Sequence, residues 1–265
     1  MRHELSTGSL VKLLSFLFWN WVYFETVENS HDESPEWCSR VVALLHSSIA
    51  TLAGLTQCKC RTFTWRLTRY ILPCQYLLMV WSWGYFAFDL LWCLAYWTDS
   101  VMLLSHHTCA LLAITRYMQK GHSGCTFACT LVLLEITNPL LQIRWFLKYH
   151  GYGKSKAYFA VEAAYLGLFL FLRGVVGTFL MIWIFGWSDF DWEEIFYSLT
   201  FYVISMIFVY DVVGYVRHKY KNEIVDCKGY YYATCLPDDM VIKGPGTSRK
   251  YGTPLKDELD KAHIC

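Results

Sequence analysis

Apolar positions gather into seven long runs along the chain, separated by short polar breaks. Leu10–Phe24 is apolar and aromatic but shorter than the roughly 20 residues a membrane span prefers, and it reads as a first, short, uncleaved span. The acidic stretch Glu25–Glu36 follows as a solvated loop containing Ser34-Pro35. Val41–Leu55 is a second span carrying His46, and behind it come Lys59, Arg61, Arg66 and Arg69, a basic interfacial stretch. Leu72–Tyr96 and Asp99–Tyr117 are the third and fourth spans. A polar turn, Gln119–Gly124, leads into Cys125–Phe146, then Tyr158–Phe185, then Ile195–Val216. From Arg217 the apolar periodicity stops, as expected of a flexible tail. The pattern predicts an all-α fold, a polytopic membrane helical bundle of about seven transmembrane helices. Residues 1–36 hold the short span and its acidic loop, 37–219 the main domain, and 220–265 the tail.

Composition agrees with this pattern. Of 265 residues, 55% are hydrophobic and 17% charged, against roughly 25% charged in soluble domains. A net charge of +1 supplies no basic field for nucleic acid, which is not expected as a partner. Cys74, Cys93, Cys109, Cys125 and Cys129 lie in apolar runs, where cysteine behaves as a small hydrophobe. Cys58-Lys-Cys60 is too short and isolated for a zinc site. The positive-inside rule is in conflict with itself here. A cytoplasmic C-terminus keeps Arg144, Lys148, Lys154, Lys156 and the Arg217–Lys221 stretch inside, but puts Arg61, Arg66 and Arg69 outside.

Against that apolar background the ionisable residues within spans stand out, because polar groups in lipid need partners and tend to face a bundle interior. His106 and His107 are adjacent in the fourth span, and Asp99 lies two turns upstream of His106 on nearly the same face. A neutral imidazole held in one tautomer by an aspartate suits general-base or nucleophilic work. Asp89 lies in the third span. Glu135, Asn138 and Gln142 form one stripe on the fifth, where Pro139 frees the carbonyl of residue 135 and invites a kink. Glu162 and Arg173 in the sixth read as interhelical glue.

No metal site is expected. The chain has nine histidines, six of them in loops or ends, and adjacent helical histidines point about 100° apart, so they are poorly placed to chelate one ion. Gly-x-Ser-x-Gly, P-loop and dinucleotide fingerprints do not occur. Lys256-Asp-Glu-Leu259 spells an endoplasmic reticulum retrieval signal, but it stands ahead of the last residue, and Cys265 does not fit prenylation. Chemistry, if present, is histidine chemistry on something that reaches the bilayer interior, which means a membrane lipid.

Several motifs carry a family likeness. Ser82-Trp-Gly-Tyr-Phe-Ala-Phe-Asp89, Asp99-x6-His106-His107-Thr108, Glu135-Ile-Thr-Asn-Pro139 and Arg144-Trp-Phe-Leu147 resemble the TLC domain family, and Glu36-Trp-Cys-Ser-Arg-Val with His46 fits the start of that domain. The resemblance implies a six-helix core around a membrane-embedded pocket, usually preceded by one further span, with a cytosolic C-terminus. It also implies an endomembrane location, the endoplasmic reticulum first. Ceramide synthases of this family N-acylate sphingoid bases from acyl-CoA with a His-His pair. By that resemblance His106 and His107 are catalytic, with Asp99 orienting one of them. Tyr85, Asp89, Glu135, Asn138 and Arg144 are the expected substrate-binding residues. Where ceramide synthases carry His-Asp-x-x-Asp, this chain has Glu135-Ile-Thr-Asn-Pro139, so another lipid acyl transfer is expected, with acyl-CoA as co-substrate and no further cofactor. The alternatives are a non-enzymatic regulator of membrane lipid composition and a lipid-binding or trafficking protein.

Overall fold

A computed structural model describes residues 2–58, 70–96, 101–186 and 190–221, with side chains from Gly8 onward. The basic stretch at Lys59, Arg61, Arg66 and Arg69, Asp99, and the tail beyond Lys221 with its Lys256–Leu259 signal lie outside the described residues. The chain divides into two units, Met1–Met206 and Ile207–Cys265.

The first unit is a helical bundle. Its elements are α1 (Arg2–Asn29), α2 (Pro35–Gln57), α3 (Pro73–Ala95), α4 (Val101–Lys120), α5 (Gly124–Glu135), α6 (Asn138–Tyr149), α7 (Lys156–Phe169), a π-helical segment (Leu170–Val176) and α8 (Gly177–Gly186). The last helix, α9 (Trp192–Lys219), runs from this unit through Met206 into the second. Among the described residues, the seven expected spans thus appear as seven helical stretches, two of them interrupted. Five are long and apolar enough to cross a membrane: α2, α3, α5–α6, α7–α8 and α9. The exceptions are α1, diluted by Asn20, Glu25 and Glu28, and α4, diluted by His106, His107 and Arg116. The helix that carries the histidine pair is less apolar because of the residues that make it interesting.

Local sequence sets the helix starts. Ser34 caps α2 by accepting the Trp37 amide hydrogen at 3.1 Å, with Pro35 in the first turn. Ser155 does the same for Tyr158 at the start of α7. At α3, Gln75 Oε1 accepts from the Leu72 amide at 3.0 Å, with Pro73 in the first turn. The fifth span is interrupted at Ile136–Thr137, one turn before the carbonyl-freeing Pro139, and resumes as α6.

The core is aromatic. Trp19 on α1 is fully buried against Trp81 and Tyr85, and its indole N–H donates to the Trp81 carbonyl at 3.1 Å. Gly84 allows this approach, since a Cβ there would lie 2.6 Å from the Ser15 carbonyl carbon. Gly54 similarly lets α2 close on α5, where a Cβ would meet Val132 and the Ala128 carbonyl. One turn beyond Gly54 the cysteine reading is overturned. Cys129 is not a lone small hydrophobe: it forms a disulfide with Cys58 across 71 residues of sequence. Antiparallel packing of α2 on α5 brings their Cα atoms to 4.9 Å, a proximity that spacing along the chain does not encode. Cys74 and Cys109 remain thiols.

Candidate functional site

Adjacent residues on a helix diverge by about 100°, and His106 and His107 follow that geometry. Both are buried, with ring centroids 5.5 Å apart and planes at 77°. His107 turns toward α3, where Nε2 lies 3.0 Å from Asp89 Oδ2 and the ring sits against Phe86. The histidine and carboxylate are in contact, though without the alignment of a hydrogen bond, and His107 Nδ1 is buried without a hydrogen-bond partner. His106 turns toward α9 and meets Phe201 edge-on.

A second histidine and carboxylate face each other behind Phe86. His46, fully buried at the middle of α2, stacks flat on Tyr85 with centroids 3.8 Å apart. Its Nδ1 lies 4.0 Å from Glu135 Oε2 at the end of α5. Asn138, the first residue of α6, donates its amide to that same Glu135 oxygen at 2.9 Å. The break between α5 and α6 therefore brings the carboxylate and the amide together. Arg173, buried on the π-helical segment, donates to the Leu134 carbonyl at 2.7 Å and to Ser205 Oγ at 3.2 Å, within electrostatic reach of Glu135 and His106. A π segment is a frequent companion of functional sites.

Of the residues expected from sequence, His106, His107, Asp89, Tyr85, Glu135 and Asn138 belong to this one polar cluster, drawn from α3, α4, α5 and α6. Arg144 does not join them: its Nε donates to Glu162 Oε1 at 2.9 Å, and Tyr158 donates to the same oxygen at 3.0 Å. Asp99, given the task of orienting a histidine, lies outside the described residues. The carboxylate that touches His107 is Asp89, which sequence reading assigned to substrate binding.

Two members of the cluster were not picked as site residues. His46 had a usable signal, because Cys38, Val42, Ala50 and Gly54 recur at four-residue spacing around it and mark one close-packed face. Arg173 was read as glue, and its hydrogen bonds to α9 and to the end of α5 fit that role as well as an electrostatic one.

The arrangement can move a proton. Asp89 Oδ2 at 3.0 Å from Nε2 favours electrostatically the tautomer with its hydrogen on that nitrogen, in which Nδ1 is the atom able to accept a proton. Among the described residues, no three His, Cys, Asp or Glu side chains converge closely enough to hold a metal ion. In comparison with known families, a model described as the TLC domain matches residues 36–212, a stretch that takes in every member of the cluster.

Proposed function

The chain belongs to the TLC domain family and is a multi-pass membrane protein, and from that premise we propose that it is a lipid acyltransferase in which His107 is the general base. The contact between His107 Nε2 and Asp89 at 3.0 Å is the observation that carries this reading. His107 Nδ1 takes the proton from the hydroxyl or amine of an acceptor lipid as its oxygen or nitrogen bonds to the acyl carbon of acyl-CoA. The thioester C–S bond breaks, and the imidazolium returns the proton to the leaving thiolate. His106, whose ring lies 5.5 Å from that of His107, is the group assigned to favour the negative charge that develops on the acyl oxygen. Tyr85, Glu135 and Asn138 line the acceptor side.

Within the family, we read Glu135-Ile-Thr-Asn-Pro-Leu-Leu-Gln-Ile-Arg-Trp-Phe-Leu147 as resembling TLC domain-containing protein 5. That segment also favours a second reading. Lacking both aspartates of the ceramide synthase motif, the cluster could bind a lipid without transforming it and so regulate membrane composition. Lipid profiles of cells expressing wild type and the His106→Ala/His107→Ala double variant at matched abundance separate the two. The acyltransferase reading expects one lipid class to change with the wild type and to stay at the control level with the variant. A change that persists undiminished in the folded double variant overturns it.

The proposed location is the endoplasmic reticulum or another endomembrane, with a defined orientation. Disulfides persist in oxidising compartments. The Cys58–Cys129 end of the bundle therefore belongs on the lumenal side, and the opposite end, with Lys148, Lys154 and Lys156, in the cytosol. An Asn-x-Thr acceptor placed in the 59–69 stretch is expected to be glycosylated, and one placed between Tyr149 and Lys156 is not. The reverse pattern overturns the orientation.

A further inference from the structure

His46 poses a problem that the acyl-transfer step leaves untouched. Its side chain is fully buried, yet neither ring nitrogen has a hydrogen-bond partner. Leaving a buried polar group unsatisfied is costly, and nearly all such groups in folded proteins have partners. The ring could not easily turn to find one, because Tyr85 stacks on its face while Trp19 and Phe86 pack against it at 5.6 Å. Nδ1 is aimed toward Glu135 Oε2, but 4.0 Å is too long for a direct hydrogen bond. It is the right separation for one bridging atom, since an oxygen or nitrogen about 2.8 Å from each fits between them.

We propose that His46 and Glu135 are the seat for a neutral hydroxyl or amine at the head of a lipid. Glu135 accepts a hydrogen from that group, and His46 completes its second hydrogen bond. Asn138 holds the carboxylate oxygen in place from the other side, at 2.9 Å. A neutral guest suits the surroundings: Glu135 is fully enclosed, with Arg173 and Asp89 both within electrostatic reach, and the aromatic walls make a poor home for a further ion. Phe86 packs against both His46 and His107, so the seat adjoins the His107–Asp89 pair without opening directly onto it, and a lipid held there by its head lies beside the base. The seat deepens the acyltransferase reading by naming the acceptor class, and it rests on that reading for its role but not for its existence.

The test uses two probes of one chain length, each carrying a diazirine and an alkyne: a long-chain primary alcohol and its methyl ether, which cannot donate. With purified full-length protein in lipid nanodiscs, light-driven capture of the alcohol is expected to exceed that of the ether about tenfold, the scale of one hydrogen bond to a charged group. His46→Phe, which preserves the stack on Tyr85, is expected to remove the preference, and Glu135→Leu likewise. His107→Ala is expected to retain it while turnover is lost, so failure of the catalytic reading and failure of the seat give different results. Equal capture of alcohol and ether by the wild type, as when water alone bridges the two side chains, overturns the proposal without recourse to any variant. So does an undiminished preference in His46→Phe.

Discussion

Asp89→Asn is expected to lower acyl transfer by about 100- to 10,000-fold while leaving the fold intact. The substitution changes one atom of a side chain that packs against His107 at 3.0 Å, so shape and burial are kept. What changes is the proton bookkeeping of the imidazole. A carboxylate can only accept, so its charge at 3.0 Å favours the tautomer with the hydrogen on Nε2, which leaves the Nδ1 lone pair free. An amide that donates to Nε2 forces the hydrogen to Nδ1, the atom required as base. Turnover measured in membranes at matched abundance reads the effect. A loss of less than about threefold removes Asp89 from the orienting role, because tautomer control of a general base is worth far more than that.

The largest effect on stability is expected at Arg144, away from the chemistry. Glu162 is fully buried on α7, and its Oε1 accepts from both Arg144 Nε and Tyr158 Oη. Arg144→Leu strips the carboxylate of its guanidinium and is expected to cost about 3–5 kcal/mol, the usual penalty for breaking one side of a buried ion pair. Abundance in membranes and melting in detergent should both fall steeply. Adding Glu162→Leu removes the stranded charge, so the double variant is expected to recover most of the loss. If Arg144 instead served the substrate, the single variant would melt normally and lose only activity, and the second change would rescue nothing.

Arg144 also marks the boundary of what the sequence can disclose. The seven apolar runs were legible because burial in lipid and helical periodicity leave a one-dimensional trace. So was the interruption near Pro139, since the missing amide hydrogen is a property of the residue itself. The divergence of His106 and His107 was equally readable, being set by helical pitch alone. What touches each histidine was not readable, because it depends on the register of one helix against another. Asp99 is close to His106 along the chain, but Asp89 reaches His107 because α3 and α4 are antiparallel neighbours. The same limit hid the Cys58–Cys129 pair and the approach of His46 to Glu135, both products of α2 lying against α5.

The π-helical segment Leu170–Val176 has a consequence of a different kind. One residue inserted into a regular α-helix turns everything after it by about 100° about the axis, and a wider π turn takes up that residue without passing the rotation on. Tyr158 and Glu162 before the segment and Thr178 after it all face protein, with Thr178 Oγ1 3.0 Å from the Tyr202 hydroxyl. They do so because the π turn absorbs a residue that a regular α-helix of the same length would carry forward as a change of phase. In this span the surplus residue serves the segment itself: Leu170, Phe171 or Val175 can be exchanged for other apolar residues, but deleting any one would regularise the helix, leaving Thr178 in phase with the face that holds Glu162 while removing the π turn that carries Arg173.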